Sequence, residues 1–381
     1  MTLLATGQIT SRSDIARELG LAPSTVSLRV NELIETGIIV EAGTGRSTGG
    51  RRPRVLELNR TAGHVLVADL GGKHARVALV DLLGQPRQVE EVELDITEGP
   101  PAVLDRLATA LTAMAKTGDS RTRGPEPSSD PGLGDLRGTA LTLPGPVDVD
   151  HGWVDSPSRM PGWHRFPVRD WLVERFGVPC VIENDANAMA LAAHHAHQPS
   201  IRHSIFAKAG TAIGCGLVID GVIHRGSTGA AGDLTHVRVA AADHRACSCG
   251  NAGCLETIAS GSALVQHVRA DGMDVHTTTD VVAAARDADP IATTRIRSAG
   301  RALGETLSPV VNFVNPDAVF LGGVLSVVEP FVAAVRSQLY EGCHPLVTRD
   351  LYIGQSPVGI DAGVLGASRA ILDHVLTPAL N

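Results

Sequence analysis

The chain has 381 residues, 43% of them hydrophobic, which is enough for two or three domains with cores of their own. Aromatic residues make up only 3%, so those cores must be built from Ala, Val, Leu and Ile, and a net charge of −8 gives the molecule as a whole no general attraction for nucleic acid. No stretch is apolar enough to cross a membrane and no targeting signal is recognisable, so the expectation is a cytoplasmic chain in a reducing compartment.

The charge is uneven. Residues 1–60 carry eight Arg and six acids, a small basic end on an acidic body. Ser11–Gly20 predicts a short helix with serine at its start and glycine at its end. A second helix is expected over Pro23–Ile34, with Val26, Val30, Leu33 and Ile34 on one face. Ser24, Thr25, Leu28 and Asn31 point away from that face and Arg29 lies on its flank, the pattern of a recognition helix. After Gly37 come a strand, a basic loop holding Arg46, Arg51 and Arg52, and a second strand, the pattern of a wing whose arginines reach phosphates or the minor groove. The simpler reading is a helical hairpin with a solvated basic linker. Only Met1–Thr6 precede Gly7, which is short for a first supporting helix.

The body contains two similar stretches, at 64–96 and 203–224. Each is an apolar strand, a glycine turn, a second apolar strand and an Asp-containing turn into a third. The duplication predicts two similar lobes facing a cleft, with glycine turns open to phosphate; the alternative is two unrelated hairpins. Residues 117–138, rich in Gly, Pro, Ser and Asp, are expected to be a surface loop. Between the hairpins, Pro179–Ile182 leads into Glu183-Asn-Asp185-Ala-Asn187, a buried strand followed by a helix. Asp185 is either a helix cap or, at a cleft edge, a general base for a hydroxyl. A later strand ends in Gly322-Gly323, which suits a plain turn or a nucleotide contact.

His236 and the run Cys247-Ser-Cys249-Gly-Asn-Ala-Gly-Cys254 supply a Cys₃His set, the donor set of a closed structural zinc site. The bland alternative, a disulfide and a spare thiol, is disfavoured in a reducing compartment. Cys180, Cys215 and Cys343 stand alone in apolar surroundings and are expected to be packing residues.

Asp69-Leu-Gly-Gly, Leu143-Pro-Gly-Pro146, Asn184-Asp-Ala-Asn187, Gly210-Thr-Ala-Ile-Gly214, Gly229-Ala-Ala-Gly-Asp233-Leu-Thr-His236 and the cysteine run ending in Glu256 together resemble the ROK family of repressors, open reading frames and kinases. The amino-terminal module places the chain beside the family's transcriptional regulators. The resemblance implies an α/β fold: a winged helix-turn-helix over residues 1–60, then two lobes of the actin-like, hexokinase-type (ribonuclease H-like) plan. The first lobe would cover 61–197, with a final helix at 363–381 returning to it, and the second 198–362 with the zinc site. It implies that Asn184, Asp185, Asp233, His236 and Glu256 hold a sugar, with His236 also ligating zinc. It further implies that Asp185 is the catalytic base if the chain is a kinase, and that Asp69, Gly71, Gly72, Gly210, Thr211, Gly214, Gly322 and Gly323 face ATP and magnesium. Four positions depart from the kinase pattern. Lys73 and Ala212 count against ATP, while Asp233 and Thr235 bear on which sugar is held.

Two function classes follow. The first is a sugar-responsive repressor that binds operator DNA as a homodimer or homotetramer. The second is an ATP-dependent sugar kinase with a secondary DNA module. A zinc sensor is a third, weaker reading, because a closed Cys₃His site holds its metal for structure.

Overall fold

The computed structural model describes Leu4 and residues 9–44, 54–119, 135–197 and 200–376. Helix α1 spans Arg12–Leu19. The Ser11 hydroxyl caps it by accepting from the Asp14 amide at 3.2 Å, and Gly20 ends it in the left-handed region that glycine adopts most easily. Helix α2, Pro23–Glu35, opens with proline in its first turn, where no backbone donor is lost. Strands β1 (Ile39–Thr44) and β2 (Arg54–Leu58) form an antiparallel hairpin, with Ile39 opposite Leu58. Val26, Val30, Ile39, Leu56 and Leu58 close on Leu4 in a small core. This is the helix-turn-helix with the base of a wing; Arg46, Arg51 and Arg52 lie outside the described residues.

The first lobe contains β3 (His64–Leu70), β4 (His74–Asp81) and β5 (Pro86–Glu93), then helix α3 (Pro100–Asp119) and β6 (Leu136–Leu143). The short pair β7 (Val147–Asp148) and β8 (Trp153–Val154) follows, then α4 (Val168–Phe176), β9 (Cys180–Asn184) and α5 (Asp185–Ala196). The expected loop at 117–138 is narrower than its composition indicated. Its first residues extend α3 and its last ones open β6, because Leu136 is recruited into the sheet core; residues 120–134 lie outside the described set. The second lobe has β10 (Ser204–Ala209), β11 (Ile213–Ile219) and β12 (Val222–Ile223), then helices α6 (Glu256–Ala259), α7 (Gly261–Ala270), α8 (Thr278–Arg286) and α9 (Pro290–Val314). It ends with β13 (Ala318–Gly322), α10 (Glu329–Gly342), α11 (Pro345–Thr348) and β14 (Tyr352–Gln355), and helix α12 (Ala362–Leu376) closes the described chain.

The two sheets share one plan. Their orders are β5-β4-β3-β6-β9 and β12-β11-β10-β13-β14. In each, the first three strands are an antiparallel meander and the last two add in parallel. The internal sequence resemblance is therefore a resemblance of whole sheets. Parallel addition needs crossover segments that cover both faces, which explains why the central strands are almost continuously apolar.

Helix α12 packs on the first sheet, where Val364, Ala367 and Ile371 meet Val65, Val67 and Ala140. It crosses α5 at Gly366, where a Cβ would stand 1.8 Å from the Ala188 carbonyl oxygen. At its start, Gly363 lies against the Asp69 carboxylate. Near its end, Leu372 touches the turn at Gly84, and Leu83 of that turn packs on the winged-helix core.

Candidate functional site

Asp69 and Asp185 approach one another because β3 and the β9–α5 junction end at the same edge of the first sheet. The helix-cap reading of Asp185 does not hold. The cap is Asn184, whose side-chain oxygen accepts from the Asn187 amide at 3.1 Å while its amide group donates to the Gly145 carbonyl at 2.9 Å. Asp185 is the first helical residue, 5% exposed, and its carboxylate is ion-paired by Lys208 from β10 of the other lobe. Burial opposes the Lys208 charge, but the carboxylates of Asp185, Asp69 and Glu256 outweigh it, so the ammonium is held above the usual lysine range. Burial raises the Asp69 carboxyl above its ordinary value, and Lys208 and the Thr142 hydroxyl offset this only in part.

Glu256 enters from the second lobe. It is 3% exposed; its Oε2 accepts from the Ile213 amide at 3.0 Å, and its Oε1 lies 2.8 Å from Arg159 Nη2 of the first lobe. The Arg159 contact is an ion pair outside hydrogen-bonding geometry, so Oε1, itself buried, accepts no hydrogen bond. Thr235, at one of the positions that depart from the kinase pattern, donates to the Ile213 carbonyl at 2.8 Å. Glu256 and Thr235 thus pin both backbone groups of Ile213. A second bridge between the lobes joins Arg225 to Glu183, with Nε 2.9 Å and Nη2 2.5 Å from Oε2.

Of the other glycine positions, the Gly210 loop is tied to the start of α7. Gly261 and Ser262 amides donate to the Gly210 and Thr211 carbonyls at 2.8 and 3.0 Å. Gly214 passes close to Ala186 of α5, and Gly71 bonds the His74 carbonyl while Gly72 is open to space. Gly322 and Gly323 are required by packing: a Cβ would meet the Phe206 ring at 2.2 Å at the first and the Ala209 carbonyl oxygen at 2.5 Å at the second. Lys73 is exposed and ion-paired with Asp95, and Asp233 is exposed.

The His236, Cys247, Cys249 and Cys254 donor atoms all lie within 4.8 Å of one another. Cys249 and Cys254 sulfurs are 3.7 Å apart, and the Cys247 sulfur is 3.6 Å from His236 Nδ1. Ligands ~2.3 Å from one centre stand about 3.8 Å apart in a tetrahedron, so the cluster fits a metal of zinc's size. Gly253, at φ +81°, lets the chain turn where a Cβ would strike the Asp243 carbonyl. Burial, then the neighbouring sulfurs, push the Cys254 thiol up to about 12. The three other cysteines are buried, and burial pushes Cys180 and Cys215 up to about 12 as well.

On the winged helix, Ser24, Thr25, Leu28, Arg29 and Asn31 are all exposed on α2. Arg29 pairs with Glu32 at 2.9 Å, and Asn31 accepts from Arg12 at 2.9 Å, so neither is idle before DNA arrives.

Sequence reasoning assigned no role to Lys208, Arg159, Glu183 or Arg225. A charged residue inside the apolar strand Ser204–Ala209 was a legible signal for Lys208. Nothing local pointed to Arg159, whose partner is remote in the chain.

The ROK family profile matches residues 65–373, and a profile for winged helix-turn-helix DNA-binding matches residues 2–40. The xylose repressor of Caldicellulosiruptor bescii is 27% identical over 385 aligned positions, covering 97% of this chain and 93% of that protein. The DNA-binding transcriptional dual regulator NagC of Escherichia coli K12 is 31% identical over 334, covering 83% and 77%. The crystal structure of a ROK family transcriptional regulator, a homolog of the Escherichia coli MLC protein, matches with a TM-score of 0.82 at 26% identity, covering 98% of this chain and 95% of that one. The chain therefore belongs to the ROK family and carries an N-terminal winged helix-turn-helix.

Proposed function

We propose that the protein is a sugar-responsive repressor that binds operator DNA through its winged helix and a sugar through the cleft between its lobes. The observation that carries this reading is the pairing of the two parts in one chain. An α2 face of Ser24, Thr25, Leu28 and Arg29 is exposed, and the module that bears it packs on a ROK lobe. The xylose-repressor and NagC relatives span both parts. Asn184, Asp185, His236 and Glu256 would hold sugar hydroxyls, with Asp233 joining when the lobes close on ligand. His236, Cys247, Cys249 and Cys254 would hold zinc. The metal would fix the loop that presents Glu256, two residues beyond its last cysteine ligand, and takes no part in chemistry. A homodimer would set two α2 helices on the half-sites of a palindrome.

The kinase alternative is weaker, because Asp185, the residue it needs as a base, is engaged by Lys208. The test is fluorescence anisotropy of the full chain on DNA from the promoters flanking its own gene. Xylose, glucose, N-acetylglucosamine and their available phosphates are then added. Sequence-specific binding released by one of them supports the reading. Absence of specific binding at moderate salt, or of any sugar effect, overturns it.

A further inference from the structure

The cleft carries an unusual charge balance. Three carboxylates (Asp69, Asp185 and Glu256) surround it, and two cations answer them from opposite lobes. Lys208 of the second lobe pairs with Asp185 of the first, and Arg159 of the first lobe pairs with Glu256 of the second. Asp69, the third carboxylate, is bonded by the Thr142 hydroxyl and packed against Gly363.

We propose that Lys208 is the resident cation of this cleft, so that the effector is an uncharged sugar bound without a divalent metal or a nucleotide. The inference deepens the repressor reading and rests on it.

A magnesium ion demands carboxylate or phosphate oxygens at ~2.0–2.1 Å and an octahedral shell. Asp185 Oδ2 is already taken by an ammonium that is only 23% exposed, and a dication brought beside it would meet a like charge in a poorly solvated site. Asp69 offers little in return, since its carboxyl group is already bonded by the Thr142 hydroxyl and packed against Gly363. A phosphate fares no better. Both cations are already matched by buried carboxylates, and an incoming dianion would face Asp185 and Glu256 at close range without displacing either. Sugar hydroxyls suit the site. They would donate to Asp185 and to Glu256 Oε1, a buried oxygen that accepts no hydrogen bond, and accept from Lys208 and Arg159, with no change in net charge. Lys208 is thus a specificity-determining residue: its ion pair keeps the Asp185 carboxylate aimed, as a metal would, while closing the cleft to the metal itself.

The test uses the full-length, zinc-loaded protein and titration calorimetry. The probes are xylose, glucose and N-acetylglucosamine, then glucose 6-phosphate, N-acetylglucosamine 6-phosphate, MgATP and MnCl2 alone. One uncharged sugar is expected to bind, with a Kd unchanged within about twofold by MgATP; the 6-phosphates bind at least tenfold more weakly, and Mn2+ does not bind the cleft. Lys208→Met, which keeps the stem and removes the charge, is expected to weaken that sugar at least tenfold while retaining operator binding. A phosphosugar that binds more tightly than its parent, a sugar that requires MgATP, or a folded Lys208→Met protein with unchanged sugar affinity overturns the proposal and leaves the repressor reading standing. If no probe binds, charged or uncharged, the sugar-receptor reading fails and this inference with it. The wild-type arms decide the question even where Lys208→Met does not fold.

Discussion

Single side chains decide whether the cleft and its support hold. Glu183 is 2% exposed, and Arg225 is its only cation among the ion pairs of the described residues. Arg225→Ala would leave that carboxylate buried and unpaired, at a cost of about 2 kcal/mol, modest because Arg225 is itself one-third exposed. Urea unfolding of the two proteins measures it. Cys249→Ser removes one donor of the Cys₃His set. Metal analysis is expected to show loss of stoichiometric zinc, and because Glu256 follows the cluster, the sugar response should fall along with thermal stability. His194 supplies a pH dependence. It is buried beside the Ser204 hydroxyl at 2.9 Å, and burial holds its pKa below the ordinary 6.5. A histidine depressed in the folded state stays neutral while the unfolded chain takes up a proton. Stability is therefore full above 6.5 and declines as pH falls from 6.5 toward the folded value. The melting temperature of His194→Gln should vary less steeply than the wild type across that window.

At the scale of elements, α12 matters most. It is ~22 Å long at 1.5 Å per residue, lies against Asp69 at its start and reaches the turn beneath the winged helix near its end. Its crossing of α5 depends on Gly366. Gly366→Ala would force the helices apart at the Ala188 carbonyl, costing about 3 kcal/mol, readable by calorimetry. Leu83 links the first lobe to the winged-helix core. Leu83→Ala is expected to leave sugar affinity intact and to shrink the ratio of operator affinities measured with and without sugar. An unchanged ratio would mean that the signal travels by another route. On α2, Thr25→Ala should relax base preference by about 1–3 kcal/mol at one position of the operator, whereas loss of Arg29 should weaken all sequences alike.

In the whole molecule, two lobes of one topology face each other across the Arg159–Glu256 and Arg225–Glu183 pairs. A sugar alters DNA binding only insofar as it binds one lobe arrangement better than another. Much of this was legible in the chain. The apolar period of Val26, Val30 and Leu33, the paired glycine hairpins and the spacing of Cys247, Cys249 and Cys254 are local patterns. Backbone geometry and ligand chemistry read them in the same way wherever they occur. What the chain order concealed were the partners. The packing reason for Gly322-Gly323, and the pairing of Lys208 with Asp185 and of Arg159 with Glu256, depend on residues tens of positions apart. By itself the sequence determined that the molecule has a DNA-reading module, two like lobes and a Cys₃His cluster, because each arises from short-range periodicity or spacing. Only the tertiary structure decided which carboxylates of the cleft are answered by a cation and from which lobe, because burial and distance between lobes set those pairings.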